Sequence, residues 1–269
     1  MDKKSVWLVA LALAFSFGVL IWMAAETQIQ GTRPVQTVSG AKARNAPLPD
    51  FAAIENGVDR KTAFFEFVQR LINAENATIL AKRAKVREGL LLLTNGEPLT
   101  DRLAREIQVW LDAYNVEDAV SEVSSLKRLL KRMDVIPPSL AMAQAANESA
   151  WGTSRFAREG NNLYGQWCFR LNCGIAPALR PEGETYEVRV FKRPYQSVVA
   201  YVHNLNTHRT YASLRELRLA AREAGQPLDG LRLVEGLSGY SQEGQNYVEW
   251  IRQIITTNNL TVADRKLGE

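Results

Sequence analysis

The stretch "AMAQAANESAWGTSRFAREGNNLYGQW", residues 141–167, begins in alanine-rich sequence and ends in a polar, aromatic loop. Alanine is the strongest helix former, so a helix is predicted here. It should start at Ile136-Pro137-Pro138-Ser139, because proline is tolerated in a first helical turn, and Gly152 is its natural stop. One carboxylate, Glu148, falls near the helix end, on the same face as Ala141, Gln144 and Ala145. Small residues let another helix or a ligand approach closely. They also leave the carboxyl group poorly solvated, which raises its pKa and keeps it protonated near neutral pH. Such a group is prepared to act as a general acid on a departing sugar oxygen. The plain alternative is a surface glutamate, in a position that the negative end of the helix dipole disfavours.

The following loop, "REGNNLYGQWCF", concentrates amides and aromatics: Asn161, Asn162, Tyr164, Gln166, Trp167 and Phe169. Aromatic faces stack on sugar rings, and amides bond hydroxyl and acetamido groups. Asn162, Tyr164 and Trp167, with Gln144 from the helix, are therefore candidate substrate-binding residues. The alternative is a tight turn with Tyr164 and Trp167 in the core. Cys168 and Cys173 are the only cysteines. In an exported chain they most simply close a small disulfide loop. The rival is a zinc half-site, which lacks a second pair of ligands nearby in sequence. Beyond them, "EGETYEVRVFKR" has a turn-like Glu182-Gly183 and alternation of Tyr186, Val188 and Val190, which predicts a small β-hairpin.

On the N-terminal side, Phe64, Val68, Leu71, Ile72, Ile79, Val86 and Leu90 recur at three- and four-residue spacing. They predict one long helix, or two in line, from Asp59 to about Asn95-Gly96. Arg60, Lys61, Arg70, Lys82, Arg83 and Lys85 are expected on its solvated face. A second helix carries Leu103 to Tyr114, and a third Val120 to Met133. Downstream, helices are expected over Tyr195 to His208, Tyr211 to Glu223 and Asn246 to Ile255. Val6 to Ala25 is free of charge and long enough to span a bilayer, and Lys3 and Lys4 precede it. This reads as an uncleaved inner-membrane anchor with the domain in the periplasm; a cleaved signal peptide is the competing reading. The 269 residues are 46% hydrophobic and 23% charged, with net charge +4. That is an ordinary globular balance. No basic run is interleaved with aromatics, which argues against nucleic acid, and no cofactor or resident metal motif is present.

Taken together, "AQAANESAWGTSRFAREGNNLYGQW", Tyr195 and "THRTYASLR" resemble the glucosaminidase-domain family of bacterial cell-wall hydrolases, glycoside hydrolase family 73. The core likeness spans about Val135 to Ile255. A likeness to the Bax-type branch of Gram-negative bacteria extends back to about Pro49. The resemblance implies a mainly α (α+β), lysozyme-like domain with a small β-hairpin lobe flanking a groove. It implies cleavage of the β-1,4 bond between N-acetylglucosamine and N-acetylmuramic acid, and peptidoglycan strands as the partner. The family's catalytic glutamate matches Glu148. Tyr164 and Tyr211 match groove aromatics, with Tyr211 supporting the transition state or else packing its helix. A second carboxylate would come from the hairpin: Glu184 first, Glu187 next, then Glu182. The alternative is assistance by the substrate's 2-acetamido group. A lytic transglycosylase and a non-catalytic glycan-binding scaffold are the rival readings, and a protein partner of the N-terminal helices is unassigned. The expected organisation is a membrane segment (1–25), a flexible linker (26–50), helical accessory region (51–134), glucosaminidase domain (135–258) and tail (259–269).

Overall fold

The computed structural model describes residues 40–178, 180 and 183–267. The expected membrane segment and most of the linker lie outside the described residues, as does Glu182. Among the described residues no helix is long and apolar enough to cross a membrane.

A short helix, α1 (Gly40–Asn45), comes first, followed by a 3-10 turn at Phe51–Ala53. Ala43 and Phe51 are buried, so the linker expectation fails from residue 40 onward. Helix α2 (Gly57–Thr94) is one uninterrupted 38-residue helix. The Asn56 side chain starts it, accepting from the backbone N–H of Val58 and Asp59. The predicted stripe is the buried one, including Phe64, Val68, Leu71, Ile72, Ile79 and Val86. Arg83 departs from its predicted solvated face and is buried. Helices α3 (Asp101–Ala113) and α4 (Val123–Arg132) pack beside α2. Val120 precedes α4 in a turn, outside the predicted helix.

Helix α5 (Pro138–Ser149) is the hub: every residue from Pro138 to Ala146 is buried. Alanines make this possible, because α2 and later helices can approach it closely from several sides. Its N-terminal end is held by Asn76 of α2, whose amide exchanges hydrogen bonds with the backbone of Ile136 at 2.8 and 3.2 Å. Its C-terminal end is unusual. Ala150, Trp151 and Gly152 all have positive φ, reversing the chain within three residues. Gly152 is obligatory in this turn, since a Cβ there would lie 2.5 Å from the Phe51 ring.

After α6 (Arg155–Gly160) the chain forms a three-stranded antiparallel sheet of β1 (Trp167–Cys168), β2 (Gly174–Ile175) and β3 (Glu187–Arg189) in the order β1-β3-β2. The predicted hairpin is thus replaced by a central strand, β3, pairing with both arms of the cysteine loop. Cys168 and Cys173 are joined as a disulfide, which corrects the zinc rival. The predicted alternation fails because Glu187 is buried and Val190 exposed.

The remaining helices are α7 (Pro194–Thr207), α8 (Ala212–Glu223), α9 (Gly230–Leu233) and α10 (Gln245–Thr257). A 3-10 segment, Leu260–Leu267, follows and is not a free tail. Buried Asp264 accepts from the backbone N–H of Ser139 (2.8 Å) and Gly230 (3.1 Å), and from the Ser139 hydroxyl. The described residues belong to one compact unit, in which α2–α4 share a core with the helices that follow.

Candidate active site

Glu148 stands at the last turn of α5 and is half-buried in the wall of a cleft of about 670 Å³. Asn147, Tyr164, Gly165, Gln166, Trp167, Asn204, Tyr211, Tyr240, Glu243, Tyr247 and Trp250 also line the cleft. The carboxyl group is partly withdrawn from water in the cleft wall. Burial pushes its pKa above the usual carboxylate range, against the opposing pull of hydrogen bonds from Asn147 and Tyr247. Both donors reach the same oxygen, Oε1: Tyr247 Oη at 3.0 Å and Asn147 Nδ2 at 3.2 Å. Oε2 accepts no hydrogen bond among the described residues. Gly165 passes beside it with φ +63°, and a Cβ there would lie 3.3 Å from Oε2. Glycine therefore serves both the left-handed turn and the open approach to the carboxyl group.

A buried relay fixes this arrangement from behind. Gln144 Nε2 donates to Tyr247 Oη at 2.8 Å, and Tyr201 Oη donates to Gln144 Oε1 at 2.6 Å. Tyr201 in turn stacks on Tyr164 with ring centroids 3.8 Å apart. Tyr240 stacks on Tyr247 at 5.2 Å and donates to the Tyr164 carbonyl. Tyr211 lines the cleft beside Tyr240, with ring centroids 5.8 Å apart, and Asn204 lines the same cleft.

Several predicted site residues take other places. Gln144 is fully buried and orients Tyr247 rather than facing the cleft. Asn162 is buried too. Its amide bonds the carbonyls of Gln166 and Arg189 and accepts from the backbone of Tyr164 and Gln166, so it shapes the loop. Glu187 is pinned in the sheet, accepting from the backbone N–H of Gly174 at 2.7 Å and of Asn172 at 3.3 Å. Glu184 is exposed and does not line the cleft. The ring of Tyr164 is a buried wall. Trp167 is half-exposed, stacked on Tyr186 at 4.5 Å, and does line the cleft.

Tyr240 and Tyr247, which flank "SQEGQN", read from the sequence as core packing or as an extension of the groove, and Glu243 carries no signal there. The signal for Tyr247 was available: a tyrosine on the buried face of α10 needs a partner for its hydroxyl. Glu243 precedes Gly244 in an ordinary-looking turn, and only the fold carries it to Glu148's cleft. Gln166, Trp167 and Asn204 also line a second hollow of about 910 Å³ that contains His203, His208 and Lys192, so the cleft continues as a groove.

The family profile described as mannosyl-glycoprotein endo-beta-N-acetylglucosaminidase (Glucosaminidase) matches residues 123–260. The chain is 33% identical over 232 residues to Protein bax of Escherichia coli (strain K12), covering 85% of this chain and 80% of that protein. No solved structure matches. The matched span runs from the start of α4 through α10 and holds every residue of the Glu148 cleft. With the likeness to Protein bax extending over most of the chain, this protein belongs to the glucosaminidase family.

Proposed function

We propose that the protein is a peptidoglycan hydrolase that cleaves the β-1,4 bond between N-acetylglucosamine and N-acetylmuramic acid, with Glu148 as general acid. The observation that carries this reading is a desolvated carboxyl group on the wall of a groove, with both hydrogen-bond donors on one oxygen and the other left for the proton. Glu148 donates that proton to the glycosidic oxygen as the bond from C1 to the leaving sugar breaks. The groove's extent beyond Trp167 supports a polymeric substrate, with Trp167 as a stacking face and Tyr211 beside the reacting centre. The disulfide and the apolar stretch at residues 6–25 support a domain held outside the inner membrane.

A glycosidase needs a second carboxylate or help from its substrate. We assign the second role to Glu243, the carboxylate that lines the cleft with Glu148 among the described residues. It acts as base toward water or as nucleophile, and the anomer first released distinguishes the two. Glu243→Gln is expected to lower kcat about 100-fold with little change in KM. Retained turnover would transfer the role to the substrate's acetamido oxygen.

Tyr247→Phe removes a hydrogen bond that favours the ionised carboxylate, so the Glu148 pKa rises further. The reaction requires the protonated acid. The alkaline limb of the kcat/KM profile is therefore expected to move to higher pH; a limb that stays in place or moves lower would remove Tyr247 from the mechanism. Digestion of purified sacculi followed by mass spectrometry tests the function itself. Reducing N-acetylglucosamine ends are expected. Anhydro-muramic ends would make the protein a lytic transglycosylase, and binding without release would make it a scaffold.

A further inference from the structure

A third hollow, of about 500 Å³, lies between α2, α4 and α8 and shares no lining residue with the Glu148 cleft. Six cations line it: Arg83, Arg87, Lys127, Arg128, Lys131 and Arg222. Only two carboxylates, Asp134 and Glu223, face them. Neighbours outside the hollow do not close this imbalance. Arg128 pairs with Asp118 and Lys131 with Glu216, but Arg87 and Lys127 make no ion pair among the described residues. At the floor the single carboxylate of Asp134 is shared by Arg83, Arg218 and Arg222. Burial, with added repulsion from Arg222 and Arg87, lowers the Arg83 pKa to about 10 despite Asp134. The floor thus carries buried positive charge in excess, and the rim adds two cations with no partner.

We infer that this hollow binds a compact, multiply charged phosphate. A concave wall of one sign focuses its field and concentrates an anion of the other. Arg87 presents paired N–H donors that match phosphate oxygens, and the Lys127 ammonium supplements them as a point charge. Arg83 and Arg222 hold donors on main-chain carbonyls and Asp134 and act through their charge. The volume is that of a small-ligand site, and several negative charges in so small a space are what phosphates, rather than single carboxylates, provide. The phosphate could be free or could head an anionic lipid. This inference is independent of the glycosidase reading.

The test is calorimetric titration of tripolyphosphate into the full-length protein. The double variant Arg87→Ala/Lys127→Ala removes two exposed side chains and leaves the buried floor intact. Arg105→Ala/Arg158→Ala, also exposed, removes the same charge elsewhere. Saturable binding is expected, weakened at least tenfold in the first variant and little changed in the second. Absence of binding, or equal weakening in both variants, would overturn the inference in favour of diffuse surface charge. A second arm separates the sources. Sedimentation with phosphatidylglycerol vesicles that depends on Arg87 and Lys127 supports a lipid headgroup; tripolyphosphate binding without such sedimentation supports a free phosphate.

Discussion

Glu148→Gln is expected to lose about a thousandfold in turnover while melting at or above the wild-type temperature at pH 7. The activity loss follows from removing the proton donor, at the size typical of positioned acid–base groups. The stability expectation follows from the sign of the pKa shift. A carboxyl group whose folded pKa is raised is disfavoured in its ionised form in the native state, so stability is reduced once the pH exceeds the unfolded value. Glutamine keeps the shape and removes that cost. Tyr247 and Asn147 both point donors at Oε1, so the variant amide must present its oxygen to them. Sacculus turnover and a melting scan at pH 5 and pH 7 check both halves. Near-normal turnover would end the mechanism, and a large drop in melting temperature would make Glu148 a structural residue.

Asp134→Asn should give the largest stability loss in the chain. The carboxylate is 2% exposed and sits among three guanidinium groups, with contacts of 3.2 Å to Arg83 and 3.0 Å to Arg222. It also accepts from the backbone N–H of Val135, and so ties α2 and α8 to the segment entering α5. Arg218, fully buried, donates to the carbonyls of Asp134 and Val135 and to those of Lys131 and Arg132 at the C-terminal end of α4, where the helix dipole favours a cation. Removing one partner of a buried charge cluster costs about 3–5 kcal/mol, because the remaining charges stay in place. For a chain of this size that lowers the melting temperature by roughly 10 °C. Burial opposes ionisation of Asp134, but the three arginines outweigh it and hold the carboxylate below its usual range. Its contribution is therefore fully present above the unfolded pKa, near 4, and is lost as the pH falls through the lower folded value. Wild type and variant should converge in stability in strong acid. A variant that melts within about 2 °C of wild type at pH 7 would show that the arginines repack without their counter-ion.

The helices were legible because their apolar residues keep a period of three to four, as along α2 from Phe64 to Val86. Arg83 escaped that reading: periodicity assigns an arginine to solvent and cannot see a distant aspartate that pays for burying it. Glu148 was legible because its surroundings are local in sequence, within its own helix and the loop that follows. Its other partners were not. Tyr247 lies 99 residues away and Glu243 reaches the cleft only through the packing of α10 on α5. The β-lobe misled for a related reason. Tyr186, Val188 and Val190 alternate as a surface hairpin would, but the disulfide draws backbone N–H groups toward Glu187, and a buried carboxylate takes the inward position. The loop amide Asn162 has the chemistry of a sugar ligand and spends it on holding the turn.

The latch from Asp264 to Ser139 and Gly230 spans 125 residues of sequence back to the helix that bears Glu148. A ribosome therefore completes that helix long before the residue that seats it has been made. The N-terminal end of that helix should therefore stay unseated until the segment around Asp264 has folded onto it.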